Sequence, residues 1–589
     1  MRLKRTHYCG SLLKEDLAKK VVVAGWVQSK RDHGGLIFVD LRDRSGIIQV
    51  VFDYQNNSHF FNEAEKLRSE YVLAIAGDVK ERSPETVNTN LATGGIEIVV
   101  EDMEVLNTSN TPPFYIEDGI DTDENLRLKY RYLDLRRFEM QRSLHLRHKT
   151  MMVIREYLDK HGFWEIETPM LTRSTPEGAR DFLVPSRTSP GSYYALPQSP
   201  QLFKQLLMVS SVDKYFQIVR CFRDEDLRSD RQPEFTQIDM EMSFCSMEDV
   251  IGEMEGLVES IFKNVLEKEI KLPFQTISYH EAMERFGSDK PDTRFAMEIS
   301  DISQIAGQSQ FKVFKAVVEK GGVVKGLNAR GCGHYSRKEL DDLTLQVQLW
   351  GTGGLAWMIV TEDGFKTPIA KFFTDEQLNE IKSKLHGEAG DLLLFVGDKW
   401  ETALKVLGQL RISLAERLKI IPEDKNHFLW VLDFPLLSYD NDQGRYTANH
   451  HPFTAPLEDD LSLLTADPLK VRSRAYDLVY NGVEVAGGSL RIYKKDIQQK
   501  IFNLLGMSSE EAEEKFGFFL NAFMYGVPPH GGIAFGLDRL IMLMAGKNSI
   551  RDVIAFPKTA GGTCLVTGAP APVSSDQLEE LYIKPISRG

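Results

Sequence analysis

Two stretches of this chain hold residue types that could grip a charged ligand. Tyr215–Arg223 reads as one strand and Pro233–Glu241 as a second, joined by the charged loop Asp224–Gln232. Side chains alternate across a strand, so Gln237, Asp239 and Glu241 share one face while Thr236, Ile238 and Met240 share the other. Two carboxylates and an amide, beside a loop with Arg223, Arg228 and Arg231, suit an amine together with a polyphosphate. A solvent-facing hairpin of mixed charge has the same composition.

The second stretch is Tyr476–Ile492. Asn481-Gly482 is a two-residue hairpin signal. In that register Val479 faces Glu484 and Asp477 faces Ala486. Asp477 and Glu484 then lie diagonally on one face, about 7–8 Å apart at Cα. A hydrated Mg²⁺, which prefers a few carboxylates plus substrate phosphates, could span them. Simple alternation puts Arg491 on the opposite face from Glu484. A bulge at Gly487-Gly488 would return Arg491 and Ser489 to it, and that bulge is expected.

These side chains need a scaffold. Residues 1–107 are β-rich, with strand candidates at Val21–Val27, Leu36–Leu41, Ile47–Phe52, Tyr71–Val79 and Ile96–Val105. Five short strands suit a small barrel of the oligonucleotide-binding type. Residues 108–142 read as a linker or hinge that carries Pro112-Pro113. Ser143–His161 reads as a helix ended by Gly162. Ser199 is placed as the N-cap of a helix with Pro200 at its first position, and Gln201 and Lys204 share a face of that helix. From Phe311 to Leu418 the pattern is mixed α/β, and from Trp430 apolar strands return.

The chain has 589 residues and a net charge of -14, so several domains are expected and a uniform nucleic-acid-coating surface is not. One basic run stands out, from Arg127 through Arg131, Arg136, Arg137, Arg142 and Arg147 to Lys149, with only Asp134 and Glu139 against it. It reads as the solvated face of a helix and its lead-in. The five cysteines form no C-x-x-C pair, and no apolar run reaches the roughly 18 residues of a membrane span. A reduced, cytoplasmic setting with no membrane contact is expected. Phosphate-loop, dinucleotide and His-Glu-x-x-His patterns are absent.

Longer strings carry a resemblance. Phe222-Arg223-Asp224-Glu225, followed by Arg231-Gln232-Pro233-Glu234-Phe235-Thr236-Gln237, is similar to motif 2 of the class II aminoacyl-tRNA synthetases. Gly162-Phe163-Trp164-Glu165-Ile166-Glu167-Thr168-Pro169 resembles motif 1, and Gly531-Gly532-Ile533-Ala534-Phe535-Gly536-Leu537-Asp538-Arg539-Leu540 resembles motif 3. Within that class, Gln198–Lys204, Ser174–Asp181 and His450-His451-Pro452-Phe453 resemble the bacterial-type aspartate branch.

The resemblance implies a multidomain α+β protein. It places an OB-type anticodon-binding barrel at 1–107, a hinge at 108–142, and an antiparallel-sheet catalytic core at 143–289 and 419–556. An α/β domain is inserted at 290–418, and 557–589 forms a C-terminal extension. The implied reaction joins L-aspartate to tRNA(Asp) through an aspartyl-adenylate made from ATP with Mg²⁺. Arg223 and Arg539 are the implied catalytic residues, with Arg223 bridging the aspartate carboxylate and the α-phosphate. Asp224, Glu225, Gln232, Glu484, Gly536, Leu537, Asp538 and Arg539 are implied at ATP, and Asp477 and Glu484 at the metal.

Arg491, Lys204 and His450 are implied around the aspartate side chain, and Asp239, Glu177, Ser199 and Gln201 around its ammonium. Motif 1 implies a homodimer. On the barrel, Arg31, Phe38 and Gln49 match anticodon-contacting positions, although an aromatic in a barrel strand is more often core. His33 and Ser83 fall where members that charge tRNA(Asn) as well as tRNA(Asp) differ from those that do not. His33 leans toward relaxed specificity, and Ser83 does not settle it. A sister ligase for asparagine or lysine is disfavoured by the insertion and by the Arg491, Lys204, His450 set. A non-catalytic nucleic-acid-binding regulator is disfavoured by the presence of Arg223 and Arg539.

Overall fold

The structure, a computed structural model, describes residues 1–175 and 178–586. The chain forms two compact units. The first holds Met1–Lys149 with Asp226–Pro233 and Ile541–Gln577, and the second holds 150–225, 234–540 and the residues from 578 onward.

In the first unit, alternation decides the fold. Val21, Val23 and Val27 are buried, as are Ile37, Val39 and Leu41, and Ile48, Val50 and Phe52. A two-residue period on every strand gives each an apolar face, and closing the sheet buries all of those faces at once. The result is a closed barrel of β1 (Lys20–Asp32), β2 (Leu36–Asp43), β3 (Gly46–Asp53), β4 (Val72–Glu81) and β5 (Ile96–Asn107), in the order β1-β2-β3-β5-β4. All five expected strands form. Asp43 shapes the β2–β3 turn by accepting from the Ser45 backbone N–H at 2.8 Å.

The basic run departs from the solvated reading. Arg131 and Arg137 are buried, and both bond the fully buried Asp134. Arg131 also donates to the carbonyls of Ala555, Arg551 and Ile554 at 2.9, 2.6 and 2.8 Å, and Arg137 donates to the Glu117 carbonyl at 2.9 Å. Arg136 bonds Glu70 at 2.7 Å and lies over the Trp26 ring. Arg131 and Arg137 therefore form an internal clamp on Asp134. The carbonyl partners of Arg131 lie about 420 residues away, where no local pattern could show them. The helix that follows spans Phe138–Lys160, five residues earlier than its apolar spacing suggested, and Gly162 ends it at φ 81°.

The second unit is built on an eight-stranded sheet. Its members are β6 (Trp164–Glu165), β9 (Lys214–Phe222), β10 (Glu234–Ser243), β11 (Gln275–Ser278), β17 (Phe428–Leu432), β20 (Ala475–Tyr480), β21 (Val483–Leu490) and β22 (His530–Gly536). Their order is β11-β17-β20-β21-β22-β10-β9-β6. The six central strands run antiparallel, and the edge pairs β11–β17 and β6–β9 are parallel. Between β11 and β17 in sequence lies a separate sheet of β12 (Ile299–Asp301), β13 (Val323–Ala329), β14 (Ala356–Thr361), β15 (Gly364–Lys366) and β16 (Leu392–Asp398), with its own apolar cores. Two short hairpins complete the strands: β7 (Leu183–Pro185) with β8 (Tyr193–Ala195), and β18 (Leu437–Asp440) with β19 (Arg445–Ala448). Among the described residues no helix is long and apolar enough to cross a membrane, and all five cysteines are free.

Asp134 is the counter-charge of the buried clamp. Asp134→Ala leaves two guanidiniums buried without it, so chemical denaturation should show a loss of about 3–5 kcal/mol. An unchanged midpoint would show that the clamp rests on its carbonyl bonds alone.

Candidate active site

β10 does what its alternation requires. Gln237 and Asp239 face a cavity of about 440 Å³, and Glu241 lies on the same face. The helix Gln201–Val209 brings Lys204 over this face, where its Nζ donates to Asp239 Oδ1 at 2.9 Å and stands 3.4 Å from Glu241 Oε2. That helix begins one residue later than expected. Pro200 is its N-cap, and the Ser199 hydroxyl accepts a long bond of 3.4 Å from the Gln201 N–H. Ser199 and Gln201 still border the cavity with Lys204.

Arg491 meets Glu241 in a paired contact, Nε to Oε1 at 2.9 Å and Nη2 to Oε2 at 3.1 Å. Its Nη1 donates to Ser489 Oγ at 2.7 Å and to His451 Nε2 at 2.6 Å. A guanidinium has five N–H donors, so one hydrogen on Nη2 remains for a ligand. Glu241 is fully buried, which opposes its charge, but Arg491 and Lys204 overcome that and hold its carboxyl below the ordinary range. Burial and the Arg491 charge keep His451 far below its usual value. His451 is therefore neutral; its Nε2 faces Arg491 Nη1, and its Nδ1 faces the Phe453 N–H at 3.2 Å and the Thr454 hydroxyl at 3.4 Å. Gly532 makes room for Glu241, because a Cβ there would collide with that carboxylate.

The hairpin turns at Asn481-Gly482, with φ 51° and 82°, as a two-residue turn requires. Val479 pairs with Glu484 as expected. The bulge lies at Val485, two residues before its expected place, so Asp477 faces Gly487 and the strand runs regularly through both glycines. The parity change is nonetheless the one that brings Glu484, Ser489 and Arg491 to one face. The site of the extra residue follows from pairing with β20 and β22, which a single strand's sequence does not carry. A Cβ on Gly487 would lie 2.8 Å from Asp477 Oδ1 and 3.5 Å from Glu484 Oε1, so both carboxylates converge there. Burial and the Asp477 charge push the Glu484 carboxyl up. His450 Nε2 stands 3.4 Å from Asp477 Oδ1. Burial opposes its charge, yet Asp477 and then Glu484 outweigh that and hold the imidazole above its ordinary value.

Arg223 and Glu225 also border the cavity, with Arg223 over the Phe235 ring at 5.1 Å. Asp224 pairs through its backbone N–H with the Arg180 carbonyl at 3.0 Å. Gln198 holds the neighbouring segment by bonding both backbone groups of Ala179, at 2.8 and 3.1 Å. Arg539, at the start of the helix Leu537–Met544, donates to the Glu484 carbonyl at 2.7 Å. Leu537 is core, Gly536 ends β22, and Asp538 accepts from the Thr236 N–H at 2.8 Å. Gln232, in the first unit, is buried and its amide exchanges two bonds with the Lys558 backbone, at 2.7 and 3.1 Å. Glu177 lies outside the described residues. Three polar atoms of the cavity, Gln201 Nε2, Asp239 Oδ2 and Asp477 Oδ1, are buried without a hydrogen-bond partner.

Residues 123–560 match the family described as tRNA synthetases class II (D, K and N), and residues 21–106 match the OB-fold nucleic acid binding domain. The chain belongs to the class II tRNA synthetases of that group. It is 60% identical to the Aspartate--tRNA(Asp/Asn) ligase of Heliobacterium modesticaldum, over 99% of this chain and 96% of the relative. It is 58% identical to the ligase of the same name from Moorella thermoacetica, over 100% and 98%. The fold is also like that of asparaginyl-tRNA synthetase from Pyrococcus horikoshii complexed with asparaginyl-adenylate, with TM-score 0.59, 20% identity, and coverage of 94% of this chain and 98% of that one.

On the barrel of this class II synthetase, Phe38 lies outside the core, which is formed by its neighbours Ile37 and Val39. That overturns the core reading of this aromatic, because β2 alternates and Phe38 falls on the outer parity. Arg31 pairs with Phe38 in register, and its Nη2 bonds Asp40 and Gln49 at 3.1 Å. Gln49 is buried and donates to Glu97 at 2.8 Å. His33 packs edge-on against Phe38 at 5.6 Å. Ser83 is exposed and lies 3.1 Å from the Thr86 hydroxyl.

Strand parity puts Glu241 beside Asp239 for an amine, but its pairing with Arg491, and the contact of His451 with Arg491, depend on segments far apart in sequence. Glu241→Gln sets amide hydrogens against those of Arg491 and Lys204. Amino-acid-dependent ATP–pyrophosphate exchange should fall about a hundredfold in kcat/KM, roughly 2.7 kcal/mol. Near-normal exchange would show that the pair does not orient Arg491.

Proposed function

We propose that this chain ligates L-aspartate to tRNA(Asp), and also to tRNA(Asn), through an aspartyl-adenylate made from ATP. One observation carries the reading. Lys204 and Arg491 are balanced by Asp239 and Glu241 inside the cavity, and one Arg491 Nη2 hydrogen is left over. A carboxylate side chain accepts that hydrogen in a charge-assisted bond, whereas the amide of asparagine answers a guanidinium more weakly, and that mismatch is costly in a desolvated site. The aspartate side chain takes the free Nη2 hydrogen of Arg491, within reach of Lys204 and His450. The unpartnered Asp239 Oδ2 suits the ammonium, and Ser199 and Gln201 border the same cavity.

Enzymes of this family use ATP. Arg223 bridges the aspartate carboxylate and the α-phosphate, and Arg539 takes the adenine and the γ-phosphate. Glu225, Asp224 and Gln232 lie in the motif that meets ATP, and Gly536, Leu537 and Asp538 lead into Arg539. No side chain acts as a nucleophile. The substrate carboxylate attacks phosphorus, and positioning with charge stabilisation lowers the barrier. Asp477 and Glu484 fit Mg²⁺, since their two carboxylates converge over Gly487. Bound there, the cation would offset phosphate charge. Substrate phosphates and water would complete its shell.

For tRNA, an aromatic on the outer face of an OB barrel gives a base a stacking surface. Phe38 offers it, with Arg31 and Gln49 alongside. His33 touches Phe38 edge-on, which supports a role for it at the base stacked there, and the named relatives are Aspartate--tRNA(Asp/Asn) ligases. The motif 1 segment supports a homodimer, with Trp164 64% exposed on the edge strand β6.

Aminoacylation with labelled aspartate, ATP and Mg²⁺ should charge tRNA(Asp) and tRNA(Asn) transcripts alike. Charging of neither, with active controls, would overturn the reading, and charging of tRNA(Asp) alone would remove the relaxed specificity. Arg491→Leu should abolish charging of both. His33→Leu should reduce tRNA(Asn) charging selectively, and an equal loss on both tRNAs would deny His33 a discriminating role.

A further inference from the structure

Residues Leu490–Lys494 border a second cavity, of about 300 Å³, and Arg491 borders both it and the amino-acid cavity. That volume is within the range of small-molecule sites. Its walls divide by chemistry. Leu461, Leu490, Ile492 and Ile497 form an apolar lining that includes two proline rings, Pro456 and Pro529. At the polar side stand Arg474, Lys494 and Glu458. Arg474 reaches Glu458 only at 4.0 Å, and the Glu458 side chain is 80% exposed. Lys494 has no ion pair among the described residues and lies over the Tyr493 ring.

The remaining ionisable neighbours add no free charge. Arg491 is neutralised by Glu241. Burial keeps His530 below its ordinary value, so it is neutral, and it bonds the Pro528 carbonyl and Gln205. Two cations against one loosely held acid leave one net positive charge beside an apolar chamber. A dianion would exceed that charge, and a neutral hydrocarbon would leave the cations unanswered.

We propose that this cavity binds a small amphipathic monocarboxylate, with its carboxylate between Arg474 and Lys494 and its apolar body against Leu461, Leu490, Ile492 and Ile497. Because Arg491 borders both cavities, occupancy changes affinity for the amino acid, and linkage makes the effect reciprocal. The coupling rests on the aspartate reading above, and the binding does not.

The test titrates the full-length protein by calorimetry with octanoate, with phenylacetate as the aromatic form of the same chemistry and 1-octanol as the uncharged control. Octanoate or phenylacetate should bind saturably, one per chain, and 1-octanol should not. Arg474→Gln with Lys494→Gln should weaken binding at least about tenfold, one ordinary charged contact. Cys245 lines this cavity and is the one cysteine of the five that is not buried, so the ligand should slow its alkylation by N-ethylmaleimide. Aspartate affinity should shift by about fivefold or more. No saturable binding, equal binding of 1-octanol, or unchanged affinity in the double variant overturns the site. Binding that leaves aspartate affinity unmoved overturns the coupling. Should the protein take no aspartate at all, the functional reading fails while the octanoate titration still decides the site.

Discussion

The buried contact between Glu241 and Arg491 is the constraint on which the site depends. A guanidinium at 2% exposure needs its charge and its donors answered, and Glu241 does so with both oxygens. Much follows from that pair. Glycine is needed at 532, because any side chain there would meet the Glu241 carboxylate. His451 must stay neutral to accept from Nη1. Ser489 must face inward, which requires the bulge at Val485. Lys204 is drawn over the same face to balance Asp239 and complete the neutral array.

The second unit shows why such a site needs an antiparallel sheet. Four neighbouring strands, β20, β21, β22 and β10, bring residues from 237 to 536 within hydrogen-bond reach. Adjacent strands lie about 4.8 Å apart, so side chains on one face of three or four strands converge on a space the size of an amino acid. The helix Gln201–Val209 closes that space with a buried lysine. Two carboxylates over Gly487 form a second, more acidic end. The cavity is thereby polar along its length, cationic near Arg491 and anionic near Asp477 and Glu484.

The first unit uses charge differently. There Asp134, Arg131 and Arg137 are buried to hold chain segments together, with backbone carbonyls taking the remaining donors. The same residue types that make a binding site in one unit make a clamp in the other. Composition cannot separate the two, because the difference lies in whether the remaining partners belong to the protein or to a ligand. In the clamp, every Arg131 nitrogen donates to a protein acceptor. In the cavity, Asp239 Oδ2 is buried without a hydrogen-bond partner.

By itself the sequence determined everything that depends on neighbours along the chain. The five barrel strands, the Asn481-Gly482 turn and the shared face of Gln237, Asp239 and Glu241 follow from periods and turn residues that act over a few positions. The ordered motif strings identified the family for the same reason, since each is contiguous. Tertiary structure decided what depends on pairing between distant segments. It placed the bulge at Val485 through β20 and β22, buried Arg131 and Arg137 of the basic run, and spent four of the five Arg491 donors on protein acceptors. Those outcomes are set by which distant atoms fill the remaining space, and a linear pattern holds no record of that.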